Sequence, residues 1–394
     1  MTNSPEPFSI SKVECPVCGC INEYADIRPL SYRDTGSDTD FCPLGRVWHN
    51  AAYQTYDPLW VFMATCGTCF YTRELNAEFK GWTQDATFKA YRQAGIRDKH
   101  LAAAARHNGM VQFLGSHIDA QKHPTESAII KFVLGIYDEL TTDRTSALNV
   151  GRYFLRTAWL FRSQGTPVET RSGATAALLK RLRAMVSDAD HALRAYDRKV
   201  SDIKTVFENE VASMLEDAPE ARLRDQPEGV VKEIAASIAA LLRSHSELTD
   251  VCDRVELALP ADASSGSAFH TFASFGQFLL KAKQLWHDVP ATEQEALLRA
   301  CEYYRKSYET SSDIKEGVPQ VQAAYLIGEL SRRTGDFETA ERYFNTMMKV
   351  GGRLANSGIQ NASTVNRTRK LLELGRDQAR LNRDAQAAVG REGH

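Results

Sequence analysis

Apolar positions change their spacing near residue 82. Before it they come in short, interrupted runs: Pro58 to Thr65 reads as a strand, and Tyr32 to Phe41, rich in Asp, Ser, Thr and Gly, reads as loop. After it Ala, Leu, Arg, Glu and Lys dominate, Gly and Pro recur only at intervals, and the spacing becomes helical. Helices are expected near 83–114, 125–141 and 145–163, and again near 269–287 and 291–311.

Two stretches carry a heptad alternation of steps of three and four. The first runs through Leu179, Leu182, Val186, Ala189, Leu193, Tyr196, Val200, Ile203 and Phe207, and slips once before Val211 and Met214. The second runs through Val231, Ile234, Ile238, Leu241, His245, Leu248, Cys252, Val255 and Leu259. A Pro-containing turn separates them, so the simplest arrangement is an antiparallel coiled-coil hairpin over 174–262, with His245 opposite Val200 and Cys252 opposite Leu193. Pairing of each seam with a second chain is the rival arrangement and would make the hairpin a homo-dimer arm.

Further on, Gly328, Ala340 and Phe344 stand twelve and sixteen residues apart. That is the pattern of a tetratricopeptide unit, where small residues let paired helices approach and an aromatic ring fills the gap. Such a unit cannot bury its faces alone, so the helices near 291–311 and 359–385 are its expected stacking partners. The polar end from Asn382 reads as frayed.

Six of the eight cysteines fall within the first seventy residues. Cys15-Pro-Val-Cys18 and Cys66-Gly-Thr-Cys69 have the spacing by which a tight turn aims two thiolates at one ion, and together they make a closed tetrahedral zinc site. Gly19 follows the first pair where a knuckle needs positive φ, whereas Phe70 holds the equivalent place in the second, which therefore reads as the weaker half. Cys42 reads as a small buried residue beside the site and Cys20 as a partly exposed thiol. Whether Cys20, Cys42 or His49 joins the metal shell stays open. His100 and His107 share a helix face but stand about 10 Å apart, too far to hold one ion, and read as solvated or packed.

Composition narrows the function classes. Of 394 residues 43% are hydrophobic, as in an ordinary globular chain of several domains. The 48 Lys and Arg balance 50 Asp and Glu, which disfavours nucleic acid as a partner. No apolar run is long enough to span a membrane, and Met1 to Ile10 has no signal-peptide pattern, so a cytoplasmic protein is expected. The sequence contains no H-E-x-x-H, G-x-x-x-x-G-K, G-x-G-x-x-G or G-x-S-x-G motif, and no enzymatic activity is expected.

With these residues in view, the chain resembles an uncharacterised bacterial family, domain of unknown function 2225. The segments that carry the resemblance are Val13 to Gly19, Asp38 to Cys42, Asp57 to Trp60 leading to Cys66 and Cys69, Ala158 to Arg162, and Tyr325 to Arg333. It implies a zinc-ribbon-like module followed by tetratricopeptide-like helices, and no known activity. The family's second knuckle usually has Pro and Gly where this chain has Gly67 and Phe70, and typical members lack the heptad hairpin, which reads as an insertion.

The expected architecture is thus mainly α: a β-containing zinc-ribbon-like module at 10–80, a helical region at 81–165, an inserted hairpin at 174–262 and a tetratricopeptide-like region at 268–386. Zn2+ is the expected cofactor, on Cys15, Cys18, Cys66 and Cys69. The expected role is a non-enzymatic scaffold or adaptor that binds a protein partner through its repeats or hairpin. The alternatives are a nucleic-acid-binding or regulatory protein using the ribbon, and a thiol redox sensor.

Overall fold

The computed structural model describes residues 6–165, 269–310, 313–356 and 361–392, together with scattered positions between 186 and 247. The chain is mainly α, and among the described residues the named strands form three antiparallel pairs near the N-terminus. It divides into two compact units, Met1–Gly165 with Gly266–His394, and Thr166–Ser265.

In the first unit, β1 (Phe8–Glu14) pairs with β2 (Ile21–Ile27), β3 (Tyr32–Asp34) with β4 (Arg46–Trp48), and β5 (Met63–Thr65) with β6 (Thr72–Glu74). The expected loop at Tyr32 to Phe41 thus contains a strand, whose three residues carry too little alternation to be visible in sequence. Of the expected strand over Pro58 to Thr65, only Met63–Thr65 is extended. The Asp57 carboxylate accepts from the Leu59 amide at 2.8 Å and, with Pro58 next, starts a 3-10 turn over Pro58–Val61 instead.

Helices follow: α1 (Gln93–Ala104), α2 (Met110–Gly115), α3 (Pro124–Leu140), α4 (Ala147–Gly165), α5 (Phe275–Leu285), α6 (Glu293–Thr310), α7 (Val318–Arg333), α8 (Phe337–Asn356) and α9 (Ala362–Glu392). The single helix expected over 83–114 is broken because Asn108 takes φ +61° ahead of Gly109, and its start is a π turn over Phe88–Arg92. A large apolar core runs from Leu59 and Met63 through α2 to α9. A separate small cluster consists of Cys15, Val17, Ala64, Cys66, Cys69, Tyr71, Leu75, Phe79 and Ile96. The sulfur atoms therefore sit at the centre of the N-terminal module's own core.

The helix pair α7–α8 closes as its spacing predicts. A Cβ on Gly328 would come within 2.9 Å of the Phe344 ring, while Ala340 and Phe344 are buried, and α6 and α9 pack on either side. The C-terminal stretch is a correction: α9 continues to Glu392, and Asn382 is buried and donates from Nδ2 to the Phe337 carbonyl at 2.9 Å. Its buried stripe is Thr368, Leu371, Gly375, Gln378 and Asn382. Four of those five residues are not hydrophobic, so the stripe has helical spacing but no hydropathy signal.

In the second unit the described positions are helical, including 198–206 and 236–245. Val186 and Ile238 are buried there, and Tyr196, Ile203, Ile234 and Leu241 are exposed. The His245 ring donates from Nε2 to the Val186 carbonyl at 2.5 Å, which corrects the expected pairing with Val200. Val186 lies two heptads before Val200, so the seam keeps its phase while its register differs. Leu179, Leu182, Phe207, Val211, Met214, Val231, Leu248, Cys252, Val255 and Leu259, and with them the opposition of Cys252 to Leu193, lie outside the described residues.

Candidate metal centre

The two C-x-x-C segments are the tips of two hairpins built to one plan. Cys15 follows the last residue of β1 and Cys18 precedes β2 by three residues; Cys66 and Cys69 stand identically between β5 and β6. Each hairpin closes across the same seven-residue step, Glu14 opposite Ile21 and Thr65 opposite Thr72. The turn bonds also match: Gly19 donates to the Cys15 carbonyl at 3.0 Å and Phe70 to the Cys66 carbonyl at 2.9 Å. Both residues take the same left-handed backbone, with φ +77° at Gly19 and +64° at Phe70.

The four sulfurs lie within 4.8 Å of one another, with Cys15 to Cys69 at 3.7 Å and Cys18 to Cys66 at 3.5 Å. A zinc ion with bonds of ~2.3 Å needs sulfur separations of ~3.8 Å, so the residues present fit a tetrahedral ion. Cys15, Cys66 and Cys69 are buried and Cys18 is half-buried.

The electrostatics point the same way. Hydrogen bonds from Cys15 and Cys69 hold the Cys66 thiol far below its ordinary range. Hydrogen bonding to Cys66 pushes Cys15 up to about 12, hydrogen bonding to Cys15 raises Cys69, and burial raises Cys18. Four thiols this close cannot ionise together unless a cation sits among them.

Asn22 joins the two tips, a role that residue type and spacing did not reveal. Its Nδ2 donates to the Cys20 carbonyl at 2.9 Å and to Cys66 Sγ at 3.5 Å, and its Oδ1 accepts from the Gly67 amide at 2.9 Å. A second N–H···S bond reaches Cys66 from the Thr68 amide at 3.5 Å.

The second hairpin is also fastened to the helices. His100 is fully buried, its Nε2 donating to the Cys69 carbonyl at 2.8 Å and its Nδ1 meeting Asp138 Oδ1 at 2.6 Å. Burial works to lower its pKa, but Asp138 prevails and raises it. The other Asp138 oxygen accepts from the Thr72 amide at 2.7 Å, and Arg73 pairs with buried Glu139. Adjacent acids of α3 thus each hold one residue of β6. Of the two histidines expected to be solvated or packed, His100 is packed.

Cys20, Cys42 and His49 lie outside the four-sulfur group. Cys42 is not beside the sulfurs; it ends the turn Asp38 to Cys42, where Phe41 takes φ +65° and burial pushes the Cys42 thiol up to about 11. That turn grips the helices. Arg162 donates to Asp38 at 2.9 Å, to fully buried Asp40 at 2.7 Å and to Glu293 at 2.7 Å. Arg333 donates to Asp38 and to fully buried Glu329, each at 2.7 Å. Thr39 donates to Glu329 at 2.5 Å and accepts at its carbonyl from the Tyr325 hydroxyl at 2.6 Å. Three of the five segments that carry the family resemblance converge here. Their carboxylates and guanidinium groups pair with one another, so the cluster acts as a clasp between the turn and the helices.

A family model described as an uncharacterised protein conserved in bacteria, domain of unknown function 2225, matches residues 8–208 and 257–370. No curated protein and no solved structure matches the chain. The two matched spans leave 209–256 between them, so the first heptad seam through Phe207 falls inside the matched residues, and Val211 and Met214 fall between the spans.

Proposed function

Since the chain belongs to this bacterial family, whose activity is uncharacterised, we propose that it is a non-enzymatic scaffold whose N-terminal module is held by structural zinc and whose helices bind a protein partner. The observation that carries the reading is the closure of the sulfur group: four cysteines fill a tetrahedral shell, as in structural sites, whereas a catalytic zinc keeps one position for water or substrate. Thiolate ligands favour zinc over magnesium or calcium. A reducing cytoplasm suits four paired thiols, and the raised pKa of Cys42 opposes a redox-sensing thiolate there. The helical hairpin α7–α8 with its flanking helices is of the kind that presents a groove to peptides or helices.

Elemental analysis of the purified chain tests the metal, with one zinc per chain expected and loss of zinc in Cys66→Ser. Affinity capture from the native host, with the intact chain and with variants of exposed α8 and α9 residues, tests the scaffold. A partner whose capture falls with those substitutions supports it, and turnover of a substrate at the cysteine site would replace it.

A further inference from the structure

Arg152 and Arg156 stand one turn apart on the same side of α4. Like charges at that spacing repel, and elsewhere in this unit arginines near the core are matched by carboxylates: Arg73 by Glu139, Arg162 by Asp38, Asp40 and Glu293, Arg333 by Asp38 and Glu329. Arg156 differs: among the described residues no carboxylate hydrogen-bonds to it. Its guanidinium lies over the Phe62 ring at 4.1 Å, and Nη1 is enclosed with no hydrogen-bond partner among the described residues. The hydrogen bond given for the Arg152 side chain is a long one, 3.4 Å to Asn149 Oδ1. Glu74 acts on Arg156 through space.

A half-buried cation with an enclosed, unmade hydrogen bond is costly, and a second cation beside it raises the cost. Burial and Arg152 together lower the Arg156 pKa, and burial pushes the nearby Tyr304 phenol up to about 12 against the pull of both arginines. Tyr304 is thus a neutral hydroxyl that can donate. Two guanidinium forks and a phenol are the donor set that suits a dianionic oxyanion, while a carboxylate needs one fork.

We propose that Arg152, Arg156 and Tyr304 form a binding site, between α4, α6 and the residues just before β5, for a phosphate-class oxyanion carried by a small ligand. The site is separate from the cysteine centre and independent of the scaffold reading.

Inorganic phosphate is the probe, added to the full chain in a phosphate-free buffer at matched ionic strength, with acetate as the carboxylate control. Phosphate is expected to raise the thermal midpoint of the unaltered chain by about 3 °C. Titration calorimetry is expected to show binding weakened about tenfold or more in Arg156→Met and Arg152→Met. Without phosphate, Arg156→Met should melt above the unaltered chain, because a cation with an enclosed, unmade hydrogen bond has gone. If Arg156→Met does not fold, Arg152→Met and the conservative Arg156→Lys carry the test, Lys being expected to lose affinity while keeping the fold. The proposal is overturned if phosphate leaves the unaltered chain unmoved, if the folded variants keep its full response, or if acetate matches phosphate.

Discussion

The two knuckles share one backbone and differ in what they do with it. At the first, Gly19 enters the left-handed region without steric cost. At the second, Phe70 does so at a cost of roughly 1–2 kcal/mol. The ring offsets this by where it goes: it lies so close to α2 that a Cβ on Gly115 would come within 2.1 Å of Phe70 Cγ. The first hairpin, by contrast, carries an exposed Lys12–Glu23 pair along its strands. The C-x-x-C turn is the same in both, and the residue after the second Cys decides whether the knuckle also docks a ring against α2. The expected weaker half is the half built into the helical core.

The largest effect should come from the ligands. Cys66→Ser and Cys18→Ser are both expected to lose zinc and soluble yield, since a structural ion contributes on the order of 10 kcal/mol or more. Equal losses by elemental analysis would confirm equal knuckles; retained metal in either would break the comparison. Next in size is Arg73→Met, which leaves Glu139 buried and unpaired and should cost about 3–5 kcal/mol in denaturant melts. Lys12→Met on the other hairpin should change little, because its ion pair is exposed.

Gly115→Ala should cost about 1–3 kcal/mol by overpacking against Phe70, and the cost should largely vanish when Phe70→Gly is present. A double-mutant cycle on unfolding free energies reads this directly, and additivity would mean the ring is not what Gly115 accommodates. The smallest expected effect is that of Gly19→Ala, about 1 kcal/mol, measured in the same melts.

What the sequence revealed was what is local. C-x-x-C spacing acts over four residues, and the structure brings those four cysteines together. The α7–α8 pairing was likewise readable because Gly328, Ala340 and Phe344 keep a fixed spacing within one helical hairpin. Asn22 and His100 were not legible, because their roles come from tertiary proximity to sulfurs or carbonyls on other segments. The clasp was half legible: Asp38, Arg162 and Arg333 lay in segments noted for resemblance, yet nothing along the chain pairs an aspartate with an arginine nearly three hundred residues away. The stripe on α9 is invisible to hydropathy because its buried residues include Thr, Gly, Gln and Asn, and the pattern over 83–114 gives one helix where the structure has two because nothing in its periodicity marks the end at Ala104 or the left-handed Asn108 that follows.

The clasp has a consequence for the metal. Cys18 and Cys66 are 48 residues apart, and the turn from Asp38 to Cys42 lies on the chain between them. With zinc bound, both ends of that tether are pinned and its middle is presented to Arg162 and Arg333 at high effective concentration. Removal of the ion frees the ends and lets the tether explore a larger volume, so the same ion pairs form less often. A zinc ion held by the four cysteines would thus act as a buckle for a strap that crosses to the helices, and chelation is expected to expose Arg162 and Arg333 without touching either.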